Sequence, residues 1–292
     1  MTQSFRELMA REGPAILAGA HNGLSARLVE DAGFDAVWAS SFEISAANAV
    51  PDAGILGMGE CLPIVANICD SAAIPTLVDV DTGYGNAMNV VRLVKAYERV
   101  GVGGICIEDN LYPKRCSLWE GMERTLETTD EMAAKLRAAK DARLSPDFIV
   151  VARIEALIAG LGQDEAIRRA VAYDDAGADV IMIHSTRSTP DEVFEFARRW
   201  GEKSPMLVVP TKFKEVTADA LYDAGFKFVV FANHGLRGAI KGMQDAFAAL
   251  KRERKTAAAD PHIVSLDEVY RLEGVDAFQA EEKKYAGEGD KG

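Results

Sequence analysis

The stretch that decides the fold is IPTLVDVDTGYGNAMNVVRLVKAYERVGVGGICIED, residues 74–109. It contains two short apolar runs, 74–81 and 103–109, of the kind that forms buried strands. Between them, NVVRLVKAYERVG (89–101) repeats apolar residues at intervals of three and four and ends in glycine, which indicates a helix and its stop. The stretch therefore predicts one strand–helix–strand unit of a parallel sheet.

The same alternation continues along the chain, where DEMAAKLRAAKDAR, QDEAIRRAVAYDDAG and PDEVFEFARRWG also have helical spacing. The predicted strands are AILAGA (15–20), FDAVWAS (34–40), IPTLVDVD (74–81), GGICIED (103–109), DFIVVARIE (147–155), DVIMIHS (179–185), PMLVVP (205–210) and FKFVVFANH (226–234). Eight such strands predict an α/β fold of the (β/α)₈ TIM-type barrel class. A doubly wound open sheet is the alternative, but no G-x-G-x-x-G follows the first strand.

The domain organisation follows from this pattern. We expect residues 1–252 to form the barrel, with 253–292 adding C-terminal helices and a polar tail to the same domain. In that segment SLDEVYRL (265–272) begins with a serine that can cap a helix.

Composition excludes several classes of protein. The 292 residues are 48% hydrophobic and carry a net charge of -12, which argues against a nucleic-acid-binding surface. The N-terminus has no signal-peptide core and no apolar run is long enough to span a bilayer, so a cytoplasmic protein without a membrane partner is expected. Cys61, Cys69, Cys106 and Cys116 show no C-x-x-C spacing, which argues against disulfides or structural zinc; Cys106 is predicted to be a core thiol.

Acidic side chains lie where predicted strands end, at the edge that carries the active site of such barrels. Asp79 and Asp81 are two residues apart and are predicted to share a face of one strand, and Glu108 ends the next. These three carboxylates would repel one another without a cation, and oxygen ligands favour Mg²⁺ or Mn²⁺. We expect Asp79 to be the most direct ligand, with Asp81 and Glu108 acting mostly through water.

Other polar residues at these ends have two interpretations each. Arg153 either pairs with a carboxylate such as Glu155 or holds a substrate carboxylate, because an unpaired buried guanidinium is costly. His184 is either a hydrogen-bonded core histidine or a functional group. Asp109, beside Glu108, is better explained as a structural residue such as a helix cap than as a ligand. Asn233 and His234 end the eighth predicted strand.

Five stretches carry a resemblance to a known family. They are SFEISAANAVPDAGIL (41–56), DVDTGYGNAMNV (79–90), VVPTKF (208–213) and ANHGLRGAI (232–240), and a fifth, longer stretch is VARIEALIAGLGQDEAIRRAVAYDDAGADVIMIHS (151–185). With them the chain resembles the isocitrate lyase/phosphoenolpyruvate mutase superfamily over nearly its whole length. Within it, the chain is most similar to the phosphoenolpyruvate mutase and phosphonopyruvate hydrolase branch.

The resemblance implies roles for individual residues. Asp79 matches the direct Mg²⁺ ligand, and Asp81 and Glu108 match ligands that act through water. The substrate-binding residues it implies are Ser40, Ser41, Phe42, Arg153 and Asn233, with Ser40, Arg153 and the amides near Ser41 and Phe42 gripping the pyruvyl carboxylate. Asp52 and His184 match catalytic residues near the phosphoryl group. The family forms dimers of dimers in which the last barrel helix is exchanged between subunits.

One segment departs from the family pattern. EDNLYPKRCS (108–117) matches the gating loop, retaining Lys114 and Ser117, but it has Asn110 where mutases have Lys and Cys116 where they have Asn. Lys114, Cys116 and Ser117 are therefore predicted as catalytic residues of the loop. The first prediction for function is a Mg²⁺-dependent phosphoenolpyruvate mutase, and the alternative is a phosphonopyruvate hydrolase. A third is a C–C lyase in which Cys116, with its pKa lowered by nearby cations, serves as acid or base.

Overall fold

The structure is a computed structural model that describes residues 3–119, 121, 124–201 and 203–285. Its strands are β1 (Ala15–Ala20), β2 (Ala36–Ala39), β3 (Thr76–Asp79), β4 (Gly104–Glu108), β5 (Ile149–Ile154), β6 (Val180–Ile183), β7 (Met206–Val208) and β8 (Phe226–Phe231). They pair in parallel in chain order, and β8 returns to β1 with Ala15 opposite Phe228. The predicted closed barrel of eight strands is confirmed.

The helices alternate with the strands as the periodicity predicts. They are α1 (Phe5–Ala10), α2 (Gly23–Asp31), α3 (Ser41–Ala47), α4 (Met58–Ser71), α5 (Ala87–Arg99), α6 (Thr129–Ala142), α7 (Gly162–Asp175), α8 (Asp191–Trp200), α9 (Ala218–Asp223), α10 (His234–Glu253), α11 (Leu266–Glu273) and α12 (Val275–Tyr285). Short 3₁₀ turns cover Thr256–Ala258 and Asp260–His262. Many of the α-helices begin at a capping side chain: Ser265, for example, accepts a hydrogen bond from the Glu268 amide at the start of α11. Within the described part of the chain, no helix combines the length and apolarity needed to cross a bilayer.

Two layers of apolar side chains stabilise the barrel. Alternate residues of each strand point inward, among them Leu17, Trp38, Leu77 and Cys106, while the intervening residues pack against the surrounding helices. Cys106 is fully buried, as predicted for a core thiol. At the strand starts, Phe5 of α1 packs edge-on against Phe228 at 6.2 Å between ring centroids.

Several strands end earlier than the apolar runs predicted. β3 stops at Asp79, and Asp81 lies beyond it with a φ of 51°, in the left-handed region. The prediction that Asp79 and Asp81 share a face of one strand was therefore wrong. The reason is that the left-handed backbone of Asp81 ends the extended strand, although the Asp81 carbonyl still accepts a hydrogen bond of 2.8 Å from the Glu108 amide.

The chain forms two compact units, the first ending at Leu236 and the second beginning at Arg237. The second unit contains most of α10, the 3₁₀ turns, α11 and α12. The assignment of residues 253–292 to the same domain as the barrel stays a prediction, and the predicted polar tail from 286 lies outside the described residues.

Candidate active site

A pocket opens where the strands end. Its lining includes ten of the residues predicted from the sequence: Ser40, Phe42, Asp52, Asp79, Lys114, Cys116, Ser117, Arg153, His184 and Asn233. They come from six different strand ends and the loops that follow, which parallel strands bring to one edge of a barrel. The other three predicted residues, Ser41, Asp81 and Glu108, are buried behind this lining.

Each of these three contacts a residue that lines the pocket. Ser41 Oγ donates a hydrogen bond of 3.0 Å to Asp79 Oδ2. The Asp81 amide donates to Asp79 Oδ1 at 3.2 Å. Glu108 accepts from Asn110 Nδ2 at 2.9 Å, and its other oxygen lies 3.3 Å from Arg153 Nη1. The predicted metal-binding acids are therefore held together around the pocket by a shared polar network.

Arg153 is the centre of that network. Its Nε donates to Glu155 Oε1 at 2.5 Å, so the pairing that the sequence offered as one interpretation is present. Its Nη2 donates to Ser117 Oγ at 2.7 Å, and its Nη1 lies 3.6 Å from Asp79 Oδ2. The guanidinium is buried and fixed on two sides, which orients it toward the pocket.

His184 lies beside the same pair. Its Nδ1 is 3.0 Å from Glu155 Oε1 and 3.0 Å from Arg153 Nη2. Burial, together with the positive charge of Arg153, lowers the pKa of His184. The imidazole is therefore neutral near pH 7, a state in which it can accept a hydrogen bond as well as donate one.

Lys114 extends from the loop after β4 into the pocket. Its ammonium pairs with Asp52 and lies 3.0 Å from Asp81 Oδ1. Burial works against the charged form, but the negative charges of Asp81, Glu108 and Asp52 dominate and raise the pKa of Lys114. A permanently charged lysine is thereby enclosed among the acids.

Cys116 lines the pocket next to Asp52. Burial and the negative charge of Asp52, to which the thiol is also hydrogen bonded, raise the pKa of Cys116. This direction is opposite to the lowered pKa that the lyase hypothesis requires. Cys116 is held as a neutral thiol.

The acids around the pocket fit a divalent cation. In the part of the chain that the structure describes, five buried carboxylates, Asp52, Asp79, Asp81, Glu108 and Glu155, lie around the pocket with two buried cations, Lys114 and Arg153. Burial raises the pKa of Asp79 to about 6 and that of Glu108 to about 8, because these carboxylates lose the hydration that favours their charged form. Carboxylate oxygens suit Mg²⁺, which binds through few protein ligands and keeps several waters. Among the described residues, no group of three His, Cys, Asp or Glu side chains is arranged to ligate a metal directly.

Sequence reasoning missed six residues of the lining: Trp38, Leu118, Met182, Val209, Thr211 and Ala232. Five of these are apolar and resemble ordinary core or loop residues in the sequence. Thr211 is different, since its buried Oγ1 has no hydrogen-bond partner among the described residues. Its place just after β7, in the quoted VVPTKF motif, is the signal that could have identified it.

Asp109 has the structural role that the sequence favoured, although not as a helix cap. Its buried carboxylate accepts hydrogen bonds from the Glu155 amide at 2.9 Å, Tyr173 Oη at 2.8 Å and Arg169 Nη1 at 2.9 Å. These contacts turn it away from the pocket and toward α7, fixing the backbone next to Glu108.

Residues 5–251 match the model of the Phosphoenolpyruvate phosphomutase family. The chain belongs to this family. A phosphonopyruvate hydrolase from Variovorax sp. (strain Pal2) is 42% identical to it over 91% of this chain and 92% of the relative.

Two solved structures show how closely the family fold is reproduced. The crystal structure of phosphoenolpyruvate phosphomutase from Streptomyces platensis subsp. rosaceus superposes with a TM-score of 0.95 at 44% identity, covering 97% of this chain and 98% of that one. A phosphonopyruvate hydrolase complexed with oxalate and Mg²⁺ superposes with a TM-score of 0.92 at 39% identity, covering 98% and 100%. The family therefore includes enzymes that isomerise and enzymes that hydrolyse, at similar distance from this chain.

Proposed function

We propose that this protein is a Mg²⁺-dependent phosphoenolpyruvate mutase, which interconverts phosphoenolpyruvate and phosphonopyruvate. The observation that carries the proposal is the position of the gating loop. Lys114 reaches Asp52 and Asp81, and Ser117 reaches Arg153 and Glu155, so the loop covers the pocket from two sides. A covered pocket keeps water from a phosphoryl group in transit, which an isomerase requires.

The residues divide into a carboxylate-binding and a metal-binding set. Arg153, Ser40, Asn233 and the amides of Ser41 and Phe42 bind the pyruvyl end of the substrate. Asp79 holds the metal directly, while Asp81 and Glu108 hold it through water; Mn²⁺ can take the same oxygen ligands. When bound, the metal supplies positive charge that stabilises the enolate oxygen and the phosphoryl oxygens.

The phosphoryl group is transferred between two atoms of the same substrate. The O–P bond of phosphoenolpyruvate breaks, leaving pyruvate enolate and a metaphosphate-like group, and C3 of the enolate then forms the C–P bond without any proton exchange. Lys114 and neutral His184 stabilise the phosphoryl oxygens electrostatically, and Asp52 orients Lys114. Cys116 lines the pocket as a neutral thiol.

Hydrolysis of phosphonopyruvate to pyruvate and phosphate is the second candidate. The Thr211 hydroxyl favours it, because this buried group of the lining has no protein partner among the described residues and could hold a water. A thiol at position 116 is also a weaker hydrogen-bond donor than an amide and would hold the phosphoryl group less firmly. Water would then attack phosphorus, and C3 would take a proton as the P–C bond breaks.

We also propose that the protein is a cytoplasmic homo-oligomer, a dimer of dimers that exchanges its last barrel helix. The second unit has large exposed apolar side chains, including Met243, Phe247, Leu266 and Phe278, and these support the association of subunits. Apolar groups exposed on this scale favour association with another surface.

The deciding experiment is ³¹P NMR of the purified protein with phosphonopyruvate and Mg²⁺. A phosphoenolpyruvate signal establishes the mutase. Orthophosphate together with pyruvate establishes the hydrolase. An unchanged phosphonopyruvate signal rejects both and directs the search to C–C lyase substrates.

A further inference from the structure

Glu43 is a buried acid that the proposed chemistry does not use. Its side chain is 0% exposed, yet it does not line the pocket. A carboxylate removed from water costs free energy unless it is paired and hydrogen bonded. Its position in α3, the helix whose first turn reaches the pocket, therefore calls for an explanation.

The partner of Glu43 is His21, at the start of the loop after β1. His21 Nδ1 lies 2.8 Å from Glu43 Oε2, a distance at which the imidazole N–H donates to the carboxylate. The other oxygen, Oε1, has no hydrogen-bond partner among the described residues. His21 is thus the side chain that holds the acid in place.

Gly19 at the end of β1 leaves the space that Glu43 occupies. A Cβ on Gly19 would lie 2.1 Å from Glu43 Oε1 and 2.3 Å from the carbonyl oxygen of Ala232. Ala232 itself lines the pocket and precedes Asn233. The Glu43 carboxylate is therefore wedged directly behind the pocket wall, between the ends of β1 and β8.

Glu43 also belongs to the turn after β2, which forms the part of that wall on the other side of β1. Its amide donates to Ser40 Oγ at 3.2 Å. Ser40 and Phe42 line the pocket, and Ser41 is bonded to Asp79. A shift of Glu43 would consequently move three successive residues that face the candidate substrate and metal sites.

We propose that Glu43 and His21 form a positioning pair that holds the first turn of α3 in register with the ends of β1 and β8. The pair thereby sets the affinity of the pocket for the carboxylate end of the substrate, a role that rests on the proposed function. Neither side chain touches the substrate, so both act through Ser40, Ser41 and Phe42.

The test is Mg²⁺-dependent binding of oxalate to the full-length protein, measured by calorimetry. Glu43→Ala and His21→Leu are each expected to weaken oxalate binding by about tenfold, comparable to the loss of one charged hydrogen bond. Glu43→Gln is expected to stay within about threefold of the unmodified protein, since its amide oxygen still accepts from His21.

Glu127→Ala is the matched control. Glu127 is also buried, has one oxygen bonded to Lys135 at 2.5 Å and the other without a partner among the described residues, and does not line this pocket. It should lower thermal stability without changing oxalate affinity.

Three outcomes would overturn the inference. They are unchanged affinity in both Glu43→Ala and His21→Leu, an equal loss in Glu127→Ala, and an absence of oxalate binding by the unmodified protein. If Glu43→Ala does not fold, the oxalate affinities of His21→Leu and Glu43→Gln are compared to test the inference instead. Oxalate binding without turnover of phosphonopyruvate would reject the proposed function while leaving the positioning pair intact.

Discussion

Ser117 Oγ donates a hydrogen bond of 2.8 Å to Glu155 Oε2, joining the gating loop to the end of β5. The same hydroxyl oxygen accepts from Arg153 Nη2 at 2.7 Å. One serine therefore connects the loop to both members of the buried ion pair at the pocket floor. Lys114 provides the second attachment through Asp52 and Asp81.

Ser117→Ala should loosen the loop while leaving the barrel folded. We expect the total rate to fall about tenfold and the fraction of orthophosphate among the products to rise, because water reaches the phosphoryl group more often. Product ratios by ³¹P NMR measure this. Ser145→Ala, which removes a hydroxyl from the loop before β5, should leave the ratio unchanged. An unaltered ratio in Ser117→Ala would mean that this bond does not control water access.

Asp79→Ala should abolish turnover. It removes the predicted direct metal ligand and the acceptor of the Ser41 hydrogen bond, so a loss of at least about a thousandfold is expected. Steady-state rates measure the loss of turnover, and Mg²⁺ titration by calorimetry measures the loss of metal binding. Asp164→Ala, at an exposed acid of α7, is the control. Near-normal activity of Asp79→Ala would refute the metal role assigned to this residue.

Cys116→Ser separates phosphoryl transfer from lyase chemistry. Since the thiol is held neutral beside Asp52, a mutase or hydrolase should keep its rate within about tenfold, whereas a lyase that uses the thiol should lose nearly all activity. Initial rates on phosphonopyruvate and on a 2-hydroxydicarboxylate make the comparison. Cys69→Ser, at a thiol of α4 outside the pocket, should behave like the unmodified protein on either substrate.

Asp109→Ala should destabilise the fold. It would leave the Arg169 guanidinium, Tyr173 and the Glu155 amide without their shared acceptor, at a cost of about 3–5 kcal/mol in the free energy of unfolding. Urea denaturation measures this directly. Glu165→Ala removes the more exposed partner of Arg169 and should cost under about 1 kcal/mol. Equal losses in the two variants would show that the buried network is not the source of the stability.

The sequence was sufficient for the barrel. Strand and helix periods are local properties, and alternating buried strands and helices have few ways to bury both faces of a parallel sheet. The first predicted strand, 15–20, agrees with β1 residue for residue. Because active sites of this fold lie at the strand ends, the periodicity also located residues such as Asp79, Glu108 and Arg153, whereas Phe42, Lys114 and Ser117 were implied by the family resemblance.

Tertiary structure decided where each side chain points. Asp81 approaches Asp79 because its own backbone is left-handed, just beyond the end of β3. Asp109 turns to α7 although it follows Glu108 directly. Burial and a carboxylate 64 residues earlier in the chain raise the pKa of Cys116, and together they outweigh the lowering by Lys114, which is close to it in the sequence.

The sequence by itself determined the fold class and the charged residues at the strand ends, because both follow from local periodicity and chain order, and its family resemblance implied the remaining site residues. Only the tertiary structure decided that Ser117 ties the loop to Arg153 and Glu155, and that His21 holds Glu43 behind the pocket. Hydrogen bonds and charge effects act over a few ångströms in space, and residues far apart in the chain come within that distance only when the barrel closes.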